Sequence, residues 1–295
     1  MRIAIATCRP LPEPDHDEEL MLYALQQAGF ECEMLPWQER DGEGFDAVLI
    51  RSTWNYHLHI EEFTEWLRLV ASQTVLFNPL PVLLGNLHKR YLLQLASAGV
   101  PVVPTVRVSG EYGCNFFDEF YDFYNSTPFV IKPVVGASSH LTQVFARNSV
   151  DAAIRFLDDH FQDADALVQP YLSSVERGGE RALVWIDGKF THKVVKQPRF
   201  KDGEESVSHA QELTTAERVV GEFAIEKYRA IIEGEVKTGK LPDGSTDLLY
   251  ARVDVMDDDE GQTVVSELEL AEPSLFFMQH PSALDRFVLG VASRL

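Results

Sequence analysis

The sequence predicts an α/β protein of two or three packed units, and three observations carry that prediction. A chain of 295 residues with 45% hydrophobic content is too long for one small core. Its N-terminal part alternates apolar runs with amphipathic stretches in a β-α-β-β order, as in an open α/β sheet. Near the C-terminal end, residues 250–277 (YARVDVMDDDEGQTVVSELELAEPSLFF) hold two β-branched runs carrying acids that a strand normally avoids.

In order, residues 2–6 (RIAIA) read as a buried strand, followed by a helix over 17–28 that Gly29 ends. Strands at 30–35 and 46–50, an amphipathic helix over 60–70 and a strand at 74–77 complete the first unit. The functional end of such a sheet lies where strands give way to loops at their carboxyl ends. Two loops qualify, 7–17 and 51–59 (RSTWNYHLH). Arg51, leaving a strand, can grip a carboxylate with its bidentate fork, although pairing with a neighbouring acid is the more frequent fate of a lone arginine. His57, His59 and Glu61 have the composition of a metal site, but a His-X-His beside a helix start is usually plain surface.

Helical spacing of Leu87, Tyr91, Leu92 and Leu95 predicts a helix over 87–98, stopped by Gly99, with Lys89 at its start. A strand at 102–108 and an aromatic-rich helix over 116–124 follow. Residues 129–145 (FVIKPVVGASSHLTQVF) read as a strand ending in Lys132-Pro133, a small-residue loop with Gly136, Ala137, Ser138 and Ser139, and a second strand. Backbone N–H groups of such a loop can close over phosphates while the lysine supplies charge; a ligand-free Gly/Ser turn is the plainer alternative. After a helix over 150–161, the strand 166–172 carries Pro170, so Gln169 to Leu172 read as an edge or hinge whose free polar groups suit adenine. Residues 181–186 and 189–195 form a hairpin about Asp187-Gly188. Lys193, Lys196 and Arg199 leave it as a basic row. Residues 200–213 lack periodicity, and a long helix over 214–236 has Thr214 or Thr215 as N-cap with Glu217 in its first turn. A last helix spans 283–293.

The 250–269 hairpin carries the strongest chemical signal. With period 2, Tyr250, Arg252 and Asp254 share one face of the first run, and Glu267 and Glu269 share one face of the second. Pairing across the acidic turn 257–261 gathers these carboxylates, which suit a Mg²⁺ completed by substrate phosphates; an amphipathic hairpin with its acids in water is the alternative.

The chain has 26 basic and 46 acidic residues and a net charge of -20, which repels nucleic acid and anionic membrane. Three distant cysteines, Cys8, Cys32 and Cys114, predict neither a disulfide framework nor a zinc site. With no signal-peptide pattern and no stretch of membrane-span length, the expectation is a cytoplasmic protein.

The ordered set Lys89, Lys132-Pro133, Gln169-Pro170-Tyr171-Leu172, Arg252-x-Asp254 and Glu267-x-Glu269 resembles the ATP-grasp superfamily across nearly the whole chain. RSTWNY (51–56), VPVVPT (100–105), VQPYLSSVERGGERALVWIDGKFTH (168–192) and ELELAEPSLFF (267–277) are similar to its glutathione-synthetase-like branch, in the group of the cycloserine-forming O-ureido-D-serine cyclo-ligase. The resemblance implies an α+β ATP-grasp fold: an N-terminal pre-ATP-grasp α/β domain (1–85), a central domain with lid and hinge (86–172) and a C-terminal antiparallel catalytic domain (173–295). It implies that Lys89 and Lys132 contact ATP phosphates under a lid of Gly136, Ser138 and Ser139, that Gln169, Pro170, Tyr171 and Leu172 hold adenine, and that Glu176 or Glu180 reaches the ribose. Asp254, Glu267 and Glu269 would bind Mg²⁺, two ions or alternatively Mn²⁺, with Glu269 standing where many members have Asn.

The implied function is an ADP-forming carboxylate–amine ligase, cyclising one substrate or joining an amino acid to an amine through an acylphosphate. Arg252 with one of Arg181, Lys196 or Arg199 would hold the transferred phosphoryl and the oxyanion. Arg51, Ser52, Thr53 and Asn55 are assigned to an amino-acid-like substrate. A homodimer is common in this group. The rival readings are a nucleotide-binding regulatory protein without turnover and a sugar or amino-acid binding module; the second leaves the hairpin acids unexplained.

Overall fold

The computed structural model describes residues 1–12, 14–109, 114–124, 128–137, 139–162, 164–196 and 207–295. Ser138 and Arg199 fall outside these residues, as does the first half of the 200–213 loop. Three four-stranded sheets organise the chain. The first contains β1 (Arg2–Thr7), β2 (Glu31–Pro36), β3 (Ala47–Ile50) and β4 (Val75–Phe77) in the order β2-β1-β3-β4, all parallel. Helix α1 (His16–Gln27) covers the face of Ile3, Ile5, Ala47 and Leu49, and α2 (Ile60–Gln73) covers that of Ala4, Ala6, Val48 and Ile50. Coverage on both faces is why these strands are apolar throughout and not alternating.

Helices α3 (Leu80–Asn86) and α4 (Tyr91–Ser97) lead into the second sheet. Pro79 and Pro81 occupy the N-cap and first turn of α3, where a missing N–H costs no helical bond. Residues 87–90 are a turn and not the first turn of the expected helix over 87–98; the Lys89 N–H donates to Val134 O at 2.7 Å. The second sheet joins β5 (Val106–Val108), β6 (Phe129–Pro133), β7 (Gln143–Phe145) and β8 (Ala166–Pro170) in the order β5-β8-β6-β7. Helices α5 (Cys114–Tyr124) and α6 (Val150–His160) back it with an aromatic core that includes Phe117, Phe120, Tyr121, Phe129 and Phe145. The segment expected as one strand over 102–108 is divided at Pro104. Before it, Val102 bridges Val265 of the third sheet, and after it β5 pairs with β8. The proline of 166–172 does not make an edge strand. β8 lies inside its sheet, and only beyond Val168, where pairing with β5 stops, is one side of Gln169 and Pro170 open.

Short α7 (Ser174–Gly178) precedes the third sheet, β10-β9-β11-β12, built from β9 (Glu180–Ile186), β10 (Lys189–Lys196), β11 (Tyr250–Asp257) and β12 (Thr263–Glu269). Asp187 (φ 44°) and Gly188 (φ 94°) make the β9–β10 turn with two left-handed residues, the form that matches strand twist. Helix α8 (Thr215–Lys237) starts with a reciprocal cap, Thr214 Oγ1 accepting from the Glu217 N–H and Glu217 accepting from the Thr214 N–H. It packs on one face of the sheet, and α9 (Ser282–Ala292) on the other. Among the described residues no helix is long and apolar enough to cross a membrane.

Asn78, fully buried after β4, locks the first sheet to the third. Its amide donates to Tyr250 O (2.9 Å) and Leu270 O (2.8 Å) and accepts from the Leu249 N–H (2.8 Å). Asn78→Ala leaves these backbone groups buried and unpaired, with an expected loss of roughly 2–4 kcal/mol. A lowered urea midpoint of unfolding checks this.

Candidate active site

Alternation along the third sheet creates the site. On one face, the apolar end of Ala182, Val184, Ile186, Val194 and Tyr250 packs against the first sheet and α9. Farther along the same face stand Glu180, Lys196, Arg252, Asp254, Glu267 and Glu269, in register Arg252↔Glu269, Asp254↔Glu267 and Lys196↔Glu180. A bulge between Asp254 and Val255 leaves Ser266 unpaired. Its hydroxyl donates to Glu180 at 2.5 Å. This polar end forms one wall of a cleft of about 320 Å³, and the second sheet contributes the facing wall.

Each of the three acids Asp254, Glu267 and Glu269 is matched by a basic side chain. Asp254, 1% exposed, accepts from Arg252 through Nε (2.8 Å) and Nη2 (2.9 Å) and from Lys196 Nζ (2.5 Å). Burial pushes its carboxyl up, but these two cations outweigh that and hold it well below the usual carboxylate range. Glu269 pairs with Arg252, and its acidity is weakened by burial. Glu267 pairs with Lys89, whose amine burial pushes down against the pull of Glu269 and Glu272. Lys196 also reaches Glu180 at 2.8 Å. The expected trio of acids therefore shares one face, but among the described residues no three His, Cys, Asp or Glu side chains form a metal-holding group. Glu267 and Glu269 line the cleft, and Asp254 lies behind them.

Lys132 faces these groups from the end of β6. It has no ion pair with a described residue, and burial together with nearby Lys89 pushes its pKa down to about 7. Gly136, Ala137, Ser139 and His140 of the following loop line the same cleft. So do Gln169, Pro170, Tyr171 and Leu172, with Val103, Val130 and Met256 supplying apolar surface. The Tyr171 N–H is taken by Pro128 O, whereas the Leu172 N–H meets no backbone acceptor among the described residues.

Other expected residues lie elsewhere. Arg181 and Lys193 point to the opposite face, where both pair with Glu217, and Arg181 also with Asp257. The basic row is thus split by strand alternation, leaving Lys196 on the cleft. Glu176 is exposed on α7, accepting from the Tyr171 hydroxyl, whereas Glu180 lines the cleft. Arg51 is 1% exposed and both Ser52 and Thr53 are fully buried. None of these three lines the cleft, and neither does Asn55, whose side chain accepts from Trp37 Nε1 at 2.8 Å. A charged residue closing a strand suits a ligand grip and a structural anchor equally. The anchor holds here, because Arg51 Nη2 donates to Pro273 O at 2.7 Å. Among the cleft residues that sequence reasoning left unassigned are Trp54, Tyr56 and Glu272, all three inside strings that carry the resemblance.

Behind the site, His192 on β10 is 2% exposed beside His280, at 4.8 Å between ring centroids. Burial and the second ring push its pKa down to about 4. Because the unfolded chain binds this proton near pH 6.5 and the folded chain does not, stability falls as pH drops from about 6.5 to about 4, by roughly 3 kcal/mol at the lower end. A Tm series over that range checks this: His192→Gln should flatten it.

Comparison with known proteins agrees with this arrangement. Residues 3–78 match the family model for the N-terminal domain of D-cycloserine synthetase DcsG. The cycloserine biosynthesis protein DcsG of Streptomyces lavendulae is 30% identical over 289 residues, 95% of this chain and 94% of that protein. A crystal structure of D-cycloserine synthetase DcsG superposes with a TM-score of 0.88 at 29% identity, covering 100% of this chain and 99% of that one. Two further structures share the fold. The RimK-domain ATP-grasp protein of Sphaerobacter thermophilus has a TM-score of 0.68 at 16% identity, covering 99% of this chain and 98% of its own. The D-alanyl-alanine synthetase A of Vibrio cholerae has a TM-score of 0.66 at 13% identity, covering 99% and 96%. The chain is an ATP-grasp ligase and belongs to the DcsG cycloserine synthetase family.

Proposed function

We propose that this ligase activates a substrate carboxylate as an acylphosphate, closes a C–N bond on it and releases ADP and phosphate, with an O-ureido-D-serine-type amino acid cyclised within one molecule. The observation that carries the reading is the cleft itself: Lys132, free of ion pairs among the described residues, faces Lys89, Arg252 and Lys196 across a space shared with Glu267 and Glu269.

The donor set fits Mg²⁺. Glu267 and Glu269 reach the cleft with side chains about a quarter exposed, and carboxylate oxygens are the ligands that hard cations take. Both would hold the ion, with Asp254 supporting from behind; two Mg²⁺ per site, replaceable by Mn²⁺, is the expected loading. When bound, the metal neutralises phosphate charge during transfer. Lys89 then exchanges Glu267 for a phosphate oxygen, and Lys132 gains the anionic partner it lacks. Gln169 to Leu172 offer the base the open strand side and the Leu172 N–H, which meets no backbone acceptor among the described residues, and Glu180 is the cleft acid assigned to the ribose. Arg252 and Lys196 hold negative charge as it develops on the carbonyl oxygen and the departing phosphate. The loop at 136–142 excludes water from a reactive acyl group.

Phosphate release from Mg-ATP in the presence of O-ureido-D-serine and of small D- and L-amino acids tests the reading, with the product identified by mass. Substrate-dependent ADP formation and a cyclic product are expected. A rise in Tm with Mg-ATP but no turnover across that panel would leave a regulatory nucleotide binder.

A further inference from the structure

The ligase reading leaves unassigned the acid that reaches the cleft from the segment after β12. Residues 272–277 form no helix or strand, yet five bonds fix them. Trp54 Nε1 donates to Glu272 O (3.0 Å), Arg51 Nη2 to Pro273 O (2.7 Å) and Arg252 Nη1 to Ser274 O (3.4 Å). The Leu275 and Phe277 N–H groups donate to the two oxygens of Asp17 (3.0 and 2.8 Å). Three consecutive carbonyls and two amides are thus held by buried side chains of α1, the 51–54 loop and β11. A backbone held this tightly aims its side chain, and Glu272 lines the cleft with Trp54 and Tyr56.

The surroundings of that carboxyl state what it awaits. The nearby cations are committed: Lys89 to Glu267, Arg252 to Asp254 and Glu269, Lys196 to Asp254 and Glu180. No ion pair among the described residues reaches Glu272. Tyr56 hydrogen-bonds it, and burial beside Glu269 raises its pKa to about 7. A desolvated acid without a cation is unfavourable unless a ligand supplies one. Two aromatic side chains beside it add surfaces that attract cations. An ammonium fits: it is small, carries three donors and satisfies a carboxylate and a phenol oxygen together.

Resting on the ligase reading, we infer that Glu272, with Tyr56 and Trp54 around it, seats the α-ammonium of the amino-acid substrate and so determines which carboxylates are activated. Arg252, two atoms of whose guanidinium engage the hairpin acids, reaches the Ser274 carbonyl with a third, two residues along the chain from Glu272. An amino acid bound by its ammonium at Glu272 therefore turns its carboxylate toward Arg252. Arg51 and Asp17 act through the backbone they hold and are positioning residues.

The experiment uses the full-length protein with Mg-ATP and measures phosphate release for O-ureido-D-serine, D-alanine and L-alanine, each beside its desamino counterpart, 3-(ureidooxy)propionate for the first and propionate for the alanines. The wild type should prefer the amino form by about a hundredfold or more in kcat/KM. Glu272→Gln, isosteric but uncharged, should raise the amino-acid KM by about 30-fold or more and collapse that preference, while the KM for ATP moves less than about threefold. Glu272→Asp should recover part of the preference. A preference kept intact in Glu272→Gln overturns the assignment, as does a changed Mg²⁺ requirement, which would put Glu272 among the metal ligands. A wild type that binds Mg-ATP yet turns over none of the amino acids overturns the ligase reading itself, an outcome that the variants do not produce.

Discussion

Glu267→Gln is expected to leave the fold intact and to lower kcat by at least about a hundredfold, the scale of losing one electrostatic stabiliser of a charged transition state. The substitution keeps the shape of the side chain and removes its charge. Without ligand, Glu267 is paired with Lys89, and the amide oxygen of Gln still accepts a hydrogen bond from that ammonium, so the contact that supports the fold is kept. With ligand, the same oxygens are wanted by a divalent cation, and an amide oxygen is a far weaker donor to Mg²⁺. The check is a Mg²⁺ titration of phosphate release together with a melting curve. Unchanged melting, lost turnover and a higher Mg²⁺ requirement are expected; full activity would remove Glu267 from the metal site.

Lys132→Ala is expected to cost about 10²–10³-fold in kcat/KM for ATP with no loss of stability. The stability side follows from the free structure: the wild-type ammonium is desolvated beside Lys89 and unpaired among the described residues, so removing it relieves a strain. The sign of a pH effect can be worked out too. At pH 7 the free lysine, with its pKa near 7, is about half protonated, and bound polyphosphate favours the charged form. Binding of ATP should therefore take up about half a proton at pH 7 and nearly one at pH 8, and affinity should weaken as pH rises above 7. Calorimetry in buffers of different ionisation enthalpy reads this uptake, and Lys132→Ala should abolish it.

Much of this architecture was legible in the residues. Parallel strands covered on both faces read as unbroken apolar runs, and the acids of residues 250–269 stood out because strands seldom carry them. Their period predicted that Arg252 and Asp254 share one face and Glu267 and Glu269 another, and the registers Arg252↔Glu269 and Asp254↔Glu267 bring the two together. What escaped was decided by partners far away in the chain. Arg51 looks like a ligand grip until Pro273, 222 residues on, takes its guanidinium. Lys193 and Lys196 look like one row, yet only three positions separate them and they fall on opposite sides of β10, one held by Glu217 and the other by Asp254. Pro170 reads as an edge signal because local sequence does not reveal that β5 will pair beside β8 and stop short of it. Glu272 is silent in sequence because a loop acid is commonplace; its meaning depends on the bonds that hold its backbone.

The distribution of cross-unit bonds also governs how the molecule can breathe. Asn78 and Asp17, and the Tyr250 hydroxyl on Ile50 O at 2.7 Å, bolt the parallel sheet to the hairpin that carries the acids, making one immobile jaw. The sheet bearing Lys132 keeps its aromatic filling to itself, drawn from residues 106–168. It touches the third sheet through Val134 and Leu167, which join the core under α8, and the Lys89 N–H donates to Val134 O. If the proposed ligase admits nucleotide by a shift of the sheet that carries Lys132, then Glu272, tied through its backbone to the first sheet, would keep its place during the exchange.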